Sequence, residues 1–122
     1  MIKHMTKSER EIMELLWKSK KPLSCAEIVE ISDDKSWKNS YVHSLIKPLL
    51  KKGIATTESF ELVSRSYARK FAPKISYYEY ILLSEFSDED LRNTEKMVEF
   101  FNTFLQVTDN EELTEEIKDR MK

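Results

Sequence analysis

Only one glycine, Gly53, occurs in the 122 residues of this chain. Tight turns between strands lean on residues that reach positive φ, and glycine does so without steric cost. A chain with so little of it has few places to build such turns, which argues against an all-β fold and for a helix-rich one. With 40% apolar and 34% charged residues, the length suffices for one proper core plus an appended helical element, but not for two full-size domains.

The helix starts are written in a repeated code. Thr6 stands three residues before Glu9, and Ser24 three residues before Glu27. A hydroxyl and a carboxylate at that spacing satisfy each other's backbone amides at a helix N-terminus. The first predicts a helix to about Lys20 with Ile12, Met13, Leu15, Leu16 and Trp17 on one face, stopped by Pro22. The second predicts a short helix through Ala26, Ile28, Val29 and Ile31. After a polar connection over residues 32–36, Trp37 to Lys52 predicts a third helix with Val42, Leu45, Ile46, Leu49 and Leu50 inward and Gly53 closing it. Pro48 lies inside this pattern. Its missing N–H and its clash with the carbonyl of Ser44 predict a kink or an early end there.

Ile54 to Phe60 and Ser66 to Ala72 read as a short antiparallel hairpin joined by residues 61–64, with Pro73 ending the second strand. Three further helices are expected at about 76–86, 88–107 and 110–121, two of them opened by Ser76 to Glu79 and Ser87 to Asp90. Leu91, Val98, Phe101, Phe104, Leu105, Leu113 and Ile117 form an apolar stripe larger than such helices can cover alone, so they are expected to meet a second copy of the chain.

Three helices followed by a hairpin is the order of a winged helix-turn-helix, in which the third helix enters the major groove of DNA. The expected fold is therefore mainly α: a winged helix-turn-helix over 1–74 and a helical dimerisation domain over 75–122. The charge agrees with that division. Residues 1–80 hold 15 Lys+Arg against 10 Asp+Glu, a net +5, and residues 81–122 hold 5 against 12, a net −7. A basic head and an acidic tail suit a chain that offers one end to phosphate. On the third helix Lys38, Asn39, Ser40, Tyr41, His43, Ser44 and Lys47 make an outward hydrogen-bonding face for base edges and phosphates, and Arg65, Arg69 and Lys70, with Lys74 beyond them, supply phosphate contacts from the hairpin.

Other functions find no residues to carry them. Cys25 lies in an apolar helix pattern and reads as core or near-core, and it has no second cysteine for a disulfide. With only His4 and His43 beside it no zinc set is expected, and no catalytic constellation or cofactor. No run approaches the roughly 20 apolar residues of a membrane span, and Met1 to Ser8 lacks a signal-peptide core, so a cytoplasmic protein without membrane insertion is expected. The alternative to DNA binding is a protein-binding winged helix, an adaptor that docks through the third helix or the aromatic tail.

Residues 6–17 (TKSEREIMELLW), 24–29 (SCAEIV), 37–53 (WKNSYVHSLIKPLLKKG) and 65–73 (RSYARKFAP) followed by SYYEY, with Asn110 to Leu113 near the end, resemble the penicillinase-repressor family of BlaI/MecI/CopY-type regulators. The resemblance implies a homodimeric transcriptional repressor whose winged helix binds a palindromic operator and whose C-terminal helices dimerise. In the drug-resistance branch it implies a sensor protease as partner. The copper branch uses a cysteine-rich C-terminal site, and this chain has only Cys25. Gln106 and Val107 stand where the cleaved Asn-Phe pair is expected, and Tyr41 and Pro48 replace the family's usual Thr and Arg. The family's operator sequence therefore does not carry over.

Overall fold

The computed structural model describes residues 4–32, 37–63 and 66–121, with the backbone alone at 59–63, 66 and 67. The elements are α1 (Lys7–Lys18), α2 (Cys25–Ile31), α3 (Asn39–Lys51), β1 (Ala55–Val63), β2 (Ser66–Pro73), α4 (Tyr77–Glu85), α5 (Asp88–Arg92), α6 (Thr94–Thr108) and α7 (Glu111–Arg120). They fall into two compact units, Met1–Glu85 and Phe86–Lys122.

In the first unit both capping boxes form as written in the sequence. Thr6 Oγ1 accepts from Glu9 N while the Glu9 carboxylate accepts from Thr6 N, and Ser24 and Glu27 repeat the arrangement. Trimmed to α1 and α2 by these caps, the helices turn Ile12, Met13, Leu16 and Ile28 inward, where they meet Val42, Ile46 and Leu49 of α3. All seven are essentially fully buried.

α3 starts at Asn39, two residues later than the pattern from Trp37 predicted, and does not end early at Pro48. The turn beyond Pro48 keeps its backbone bonds, because the proline lacks only the donor: Lys52 N donates to Pro48 O at 2.8 Å, Gly53 N to Leu50 O and Ile54 N to Leu49 O. This is the closing pattern in which a left-handed residue lets two amides reach back into the last turn. Gly53 takes that conformation with φ 77°, and a Cβ placed on it would meet nothing within 4 Å. Backbone conformation, not crowding, is what asks for glycine here. Leu49 and Ile54, joined across the cap, are both fully buried.

β1 and β2 pair antiparallel from Ala55 opposite Pro73 to Val63 opposite Ser66. The first strand thus runs on through residues 61–63, which had been expected as the connection, and Ser64 and Arg65 lie outside the described residues. Glu58 is the extra residue of a bulge between Thr57 and Ser59, a device that bends a strand and raises its twist. Leu23 adds one antiparallel bridge on the outer side of β2, exchanging backbone bonds of 2.9 and 2.8 Å with Phe71. Phe71 is buried to 1% exposure, so the base of the hairpin belongs to the core.

α4 also belongs to the first unit. Tyr80 is buried against the core, the Trp17 indole donates to Ile75 O at 3.1 Å, and its ring meets Tyr77 and Tyr80 at 5.2 and 5.8 Å. The Arg10 guanidinium lies within 6 Å of all three rings. The packing boundary therefore falls after Glu85, whereas the sequence reading drew it at 74/75.

In the second unit the helix expected over 88–107 is two helices. Asn93 takes an extended conformation (φ −83°, ψ 101°), and its side chain accepts from Lys96 N, so the residue that ends α5 also caps α6. Asn favours that capping role over a helix interior because its short side chain competes for backbone amides. Lys96 returns to Asp90 at 2.7 Å, and Phe86 meets Phe100 edge-on at 5.0 Å, which closes α5 onto α6.

Candidate nucleic-acid interface

α3 is amphipathic, and the face it turns away from the core is the polar one read from the sequence. Lys38, Asn39, Ser40, Tyr41, His43, Ser44 and Lys47 are all exposed. Helical geometry divides them. Asn39, His43 and Lys47, four residues apart, form one line. Asn39 and His43 open onto a cleft of about 360 Å³ whose other walls are Ser24, Cys25 and Ala26 at the start of α2 and Ala68, Arg69 and Phe71 of β2. The fold thus brings two residues of the predicted reading helix together with Arg69 of the predicted hairpin. Arg69 is exposed, and its guanidinium lies 5.4 Å from the centre of the Phe71 ring. Stacking on that buried ring restricts a long side chain while leaving its donors outward.

Ser40 and Ser44 lie on the adjoining line of α3. The Ser44 hydroxyl donates to Tyr41 O at 2.6 Å, folded back on its own helix. Tyr41 leans the other way: its hydroxyl donates to Ser8 Oγ of α1 at 3.2 Å and its ring meets Trp37 at 5.8 Å. Tyr41 therefore links α3 to α1 as well as presenting an exposed edge. Arg65 lies outside the described residues.

Lys70 is placed differently from the sequence expectation of a phosphate-facing ammonium. Its Nζ lies 3.0 Å from Glu27 Oε1, and its side chain is only 16% exposed. Strand alternation sends Arg69 and Lys70 to opposite sides of β2, so neighbouring basic residues receive different surroundings. Sequence reasoning missed the Glu27–Lys70 pair because the partners lie on different elements. The capping box at Ser24 was a partial signal, since it fixes where the Glu27 carboxylate must be.

Cys25, read as core or near-core, is half-buried: it packs against the core and also lines the cleft. Burial pushes its thiol above the ordinary range, partly offset by the positive charge of Arg69. A thiol held protonated is a weak nucleophile. The Glu27 carboxyl is held below its ordinary range by the backbone amide of Ser24 and the Lys70 ammonium, against a smaller opposing effect of burial. Among the described residues no three His, Cys, Asp or Glu side chains are placed to hold a metal ion, and no helix is long and apolar enough to cross a membrane.

In the second unit, Val98, Phe101 and Phe104 of the predicted stripe are exposed on α6, Phe101 and Phe104 with their rings stacked at 6.4 Å. Leu91 of α5, Leu105 of α6, and Leu113 and Ile117 of α7 are half-buried.

No curated protein sequence matches the chain. Among solved structures, a Staphylococcus aureus MarR in complex with salicylate and kanamycin superposes with a TM-score of 0.42 at 14% identity, over 86% of this chain and 72% of that one. The model of the penicillinase repressor family matches residues 5–119. That match spans both units and every element from α1 to α7, in accord with the ordered segments noted in the sequence, and the chain belongs to the penicillinase repressor family of transcriptional repressors.

Proposed function

We propose that this repressor binds duplex DNA in a sequence-specific manner as a homodimer on a palindromic operator. The observation that carries the reading is the shared cleft: Asn39 and His43 of α3 and Arg69 of β2 converge on one surface, although the whole of β1 separates Arg69 from α3 in the chain. Asn can bridge the N6 and N7 of adenine, a histidine edge can donate or accept, and an arginine beside a reading helix suits a flanking phosphate or a base edge. Lys38 and Lys47 extend the same face with charge. In this account the first unit reads DNA and the second joins two copies.

Dimerisation is supported by the exposed apolar surface of α6. Val98, Phe100, Phe101 and Phe104 are each 40% exposed or more, an apolar patch that a single copy leaves in water. A two-fold pairing through it would give the assembly two α3 helices related by symmetry, which is why the operator is proposed to be palindromic.

The experiment is selection of bound duplexes from a random-sequence pool, followed by a solution mass measurement of the free chain. The account expects an inverted repeat and a dimer mass. A protein that retains no duplex, or selects a single unrepeated half-site as a monomer, contradicts it.

A further inference from the structure

The Glu27 carboxylate holds two elements at once. Its Oε1 accepts from Ser24 N at 3.0 Å, closing the cap of α2, and lies 3.0 Å from the Lys70 ammonium on β2. Lys21 approaches the other oxygen at 4.0 Å. Close by in the chain, Leu23 is bridged to Phe71 through both backbone bonds. The start of α2 and the outgoing strand of the hairpin are therefore fastened at adjacent points, one by backbone and one by an ion pair. Arg69 immediately precedes these two points on β2 and lines the cleft it shares with Asn39 and His43.

We propose that Glu27 and Lys70 are a positioning pair that sets the hairpin, and with it Arg69, against the reading face of α3, so that Lys70 acts on DNA binding through hairpin placement and not as a phosphate contact. The proposal rests on the DNA-binding reading above. The chemistry supports a division of labour between two neighbouring basic residues. Arg69 presents an exposed fork of donors, while the Lys70 ammonium lies against a carboxylate whose affinity for protons is lowered by the Ser24 amide and then by that contact. The base of the hairpin is fixed by buried Ala55 and Phe71 and by the Leu23–Phe71 bridge, but the strands beyond it could still rotate about that base. The ion pair adds a second point of attachment and so resists that rotation.

The two readings of Lys70 differ in sign at Glu27. If Lys70 served phosphate, Glu27 would be a competing anion beside the DNA, and Glu27→Gln would tighten binding. If the pair positions the hairpin, Glu27→Gln weakens it. Glutamine preserves the α2 cap, since a glutamine at this position closes a capping box as glutamate does, so the substitution removes the carboxylate charge, and Lys70→Gln with the double variant assigns the effect to the Lys70 pair instead of the more distant Lys21.

The test measures binding of full-length wild type, Glu27→Gln, Lys70→Gln and the double variant to a duplex that wild type selects from a random pool, across a series of salt concentrations, with Lys47→Gln as a charge-loss control. Each pair variant is expected to bind about fivefold more weakly, the scale of a partly buried ion pair, with the double variant no weaker than either single. Their log–log salt slopes should match wild type, whereas Lys47→Gln should lower the slope by about one. Amide exchange at residues 66–73 should quicken in both pair variants while α1 stays protected. Unchanged or tighter binding by Glu27→Gln, a lowered salt slope in Lys70→Gln, or unaltered exchange at 66–73 overturns the positioning role. A wild-type chain that retains no duplex contradicts the DNA-binding reading itself, and the exchange measurement then decides separately whether the pair holds the hairpin.

Discussion

The Lys52 ammonium, at the C-terminus of α3, lies 2.7 Å from Glu9 Oε1, at the N-terminus of α1. The Glu9 side chain is 5% exposed and that of Lys52 19%, so water screens the pair little. Glu9 also accepts from Thr6 N, and Lys52 also donates to His4 O. One buried carboxylate thus closes the first helix and holds the far end of α3.

Removing one partner leaves the other buried and charged. Lys52→Met is expected to destabilise the chain by about 2–3 kcal/mol, read as a lower urea midpoint. A loss below a few tenths of a kcal/mol would show the pair to be as weak as an exposed one.

The same residue makes stability depend on acid. Burial by itself pushes the Glu9 carboxyl up, but the Lys52 ammonium and the Thr6 amide and hydroxyl outweigh it and hold the carboxyl below the ordinary value of 4.5. A depressed folded value means the unfolded chain binds the proton more readily. The stabilisation is therefore complete above the unfolded glutamate value and is lost as pH falls through the lower folded value. The Glu27 carboxyl, also held low, acts in the same direction. Urea midpoints measured from pH 6 downwards should fall on acidification, and Glu9→Gln should flatten part of that fall.

Pro48 is a cost carried inside α3. It has no N–H to offer the Ser44 carbonyl, yet the helix continues to Lys51. Pro48→Ala restores that donor and is expected to stabilise the chain by about 1–3 kcal/mol, raising the thermal midpoint. A lower midpoint would mean that the packing of this half-buried ring outweighs its cost to the helix.

The exposed α6 surface gives a prediction about assembly. Phe101 and Phe104 are 40% and 41% exposed and stacked on each other. Phe101→Glu with Phe104→Glu is expected to shift a dimer to monomer in a mass measurement while the helical circular dichroism of the first unit persists. A dimer that survives both changes is held by another surface.

Much of this was legible in residue order. The boxes at Thr6–Glu9, Ser24–Glu27 and Ser87–Asp90 are local devices, complete within four residues, and each formed where it was read. Gly53 marked its cap for the same reason. The break at Asn93 was hidden because a single Asn in an apolar-periodic stretch reads equally as an interior polar residue or a cap. The length of β1 was hidden because strand pairing is set by the partner, and residues 61–63 gain their bonds only from β2. Within the candidate interface the exposed face of α3 followed from helical periodicity alone. The divergence of Arg69 from Lys70 did not, since it depends on where Glu27 of α2 meets the hairpin.

The central claim, that the first unit reads DNA through α3 and the hairpin, is tested most directly by duplex binding of wild type and Asn39→Ala across a salt series. The duplexes are the one wild type selects and a scrambled duplex of the same composition. The account predicts binding that weakens steeply with salt for both, and a preference for the selected duplex that Asn39→Ala reduces by about tenfold, the scale of one base contact. Affinity indifferent to salt, or an Asn39→Ala protein with the full preference of wild type, would contradict it.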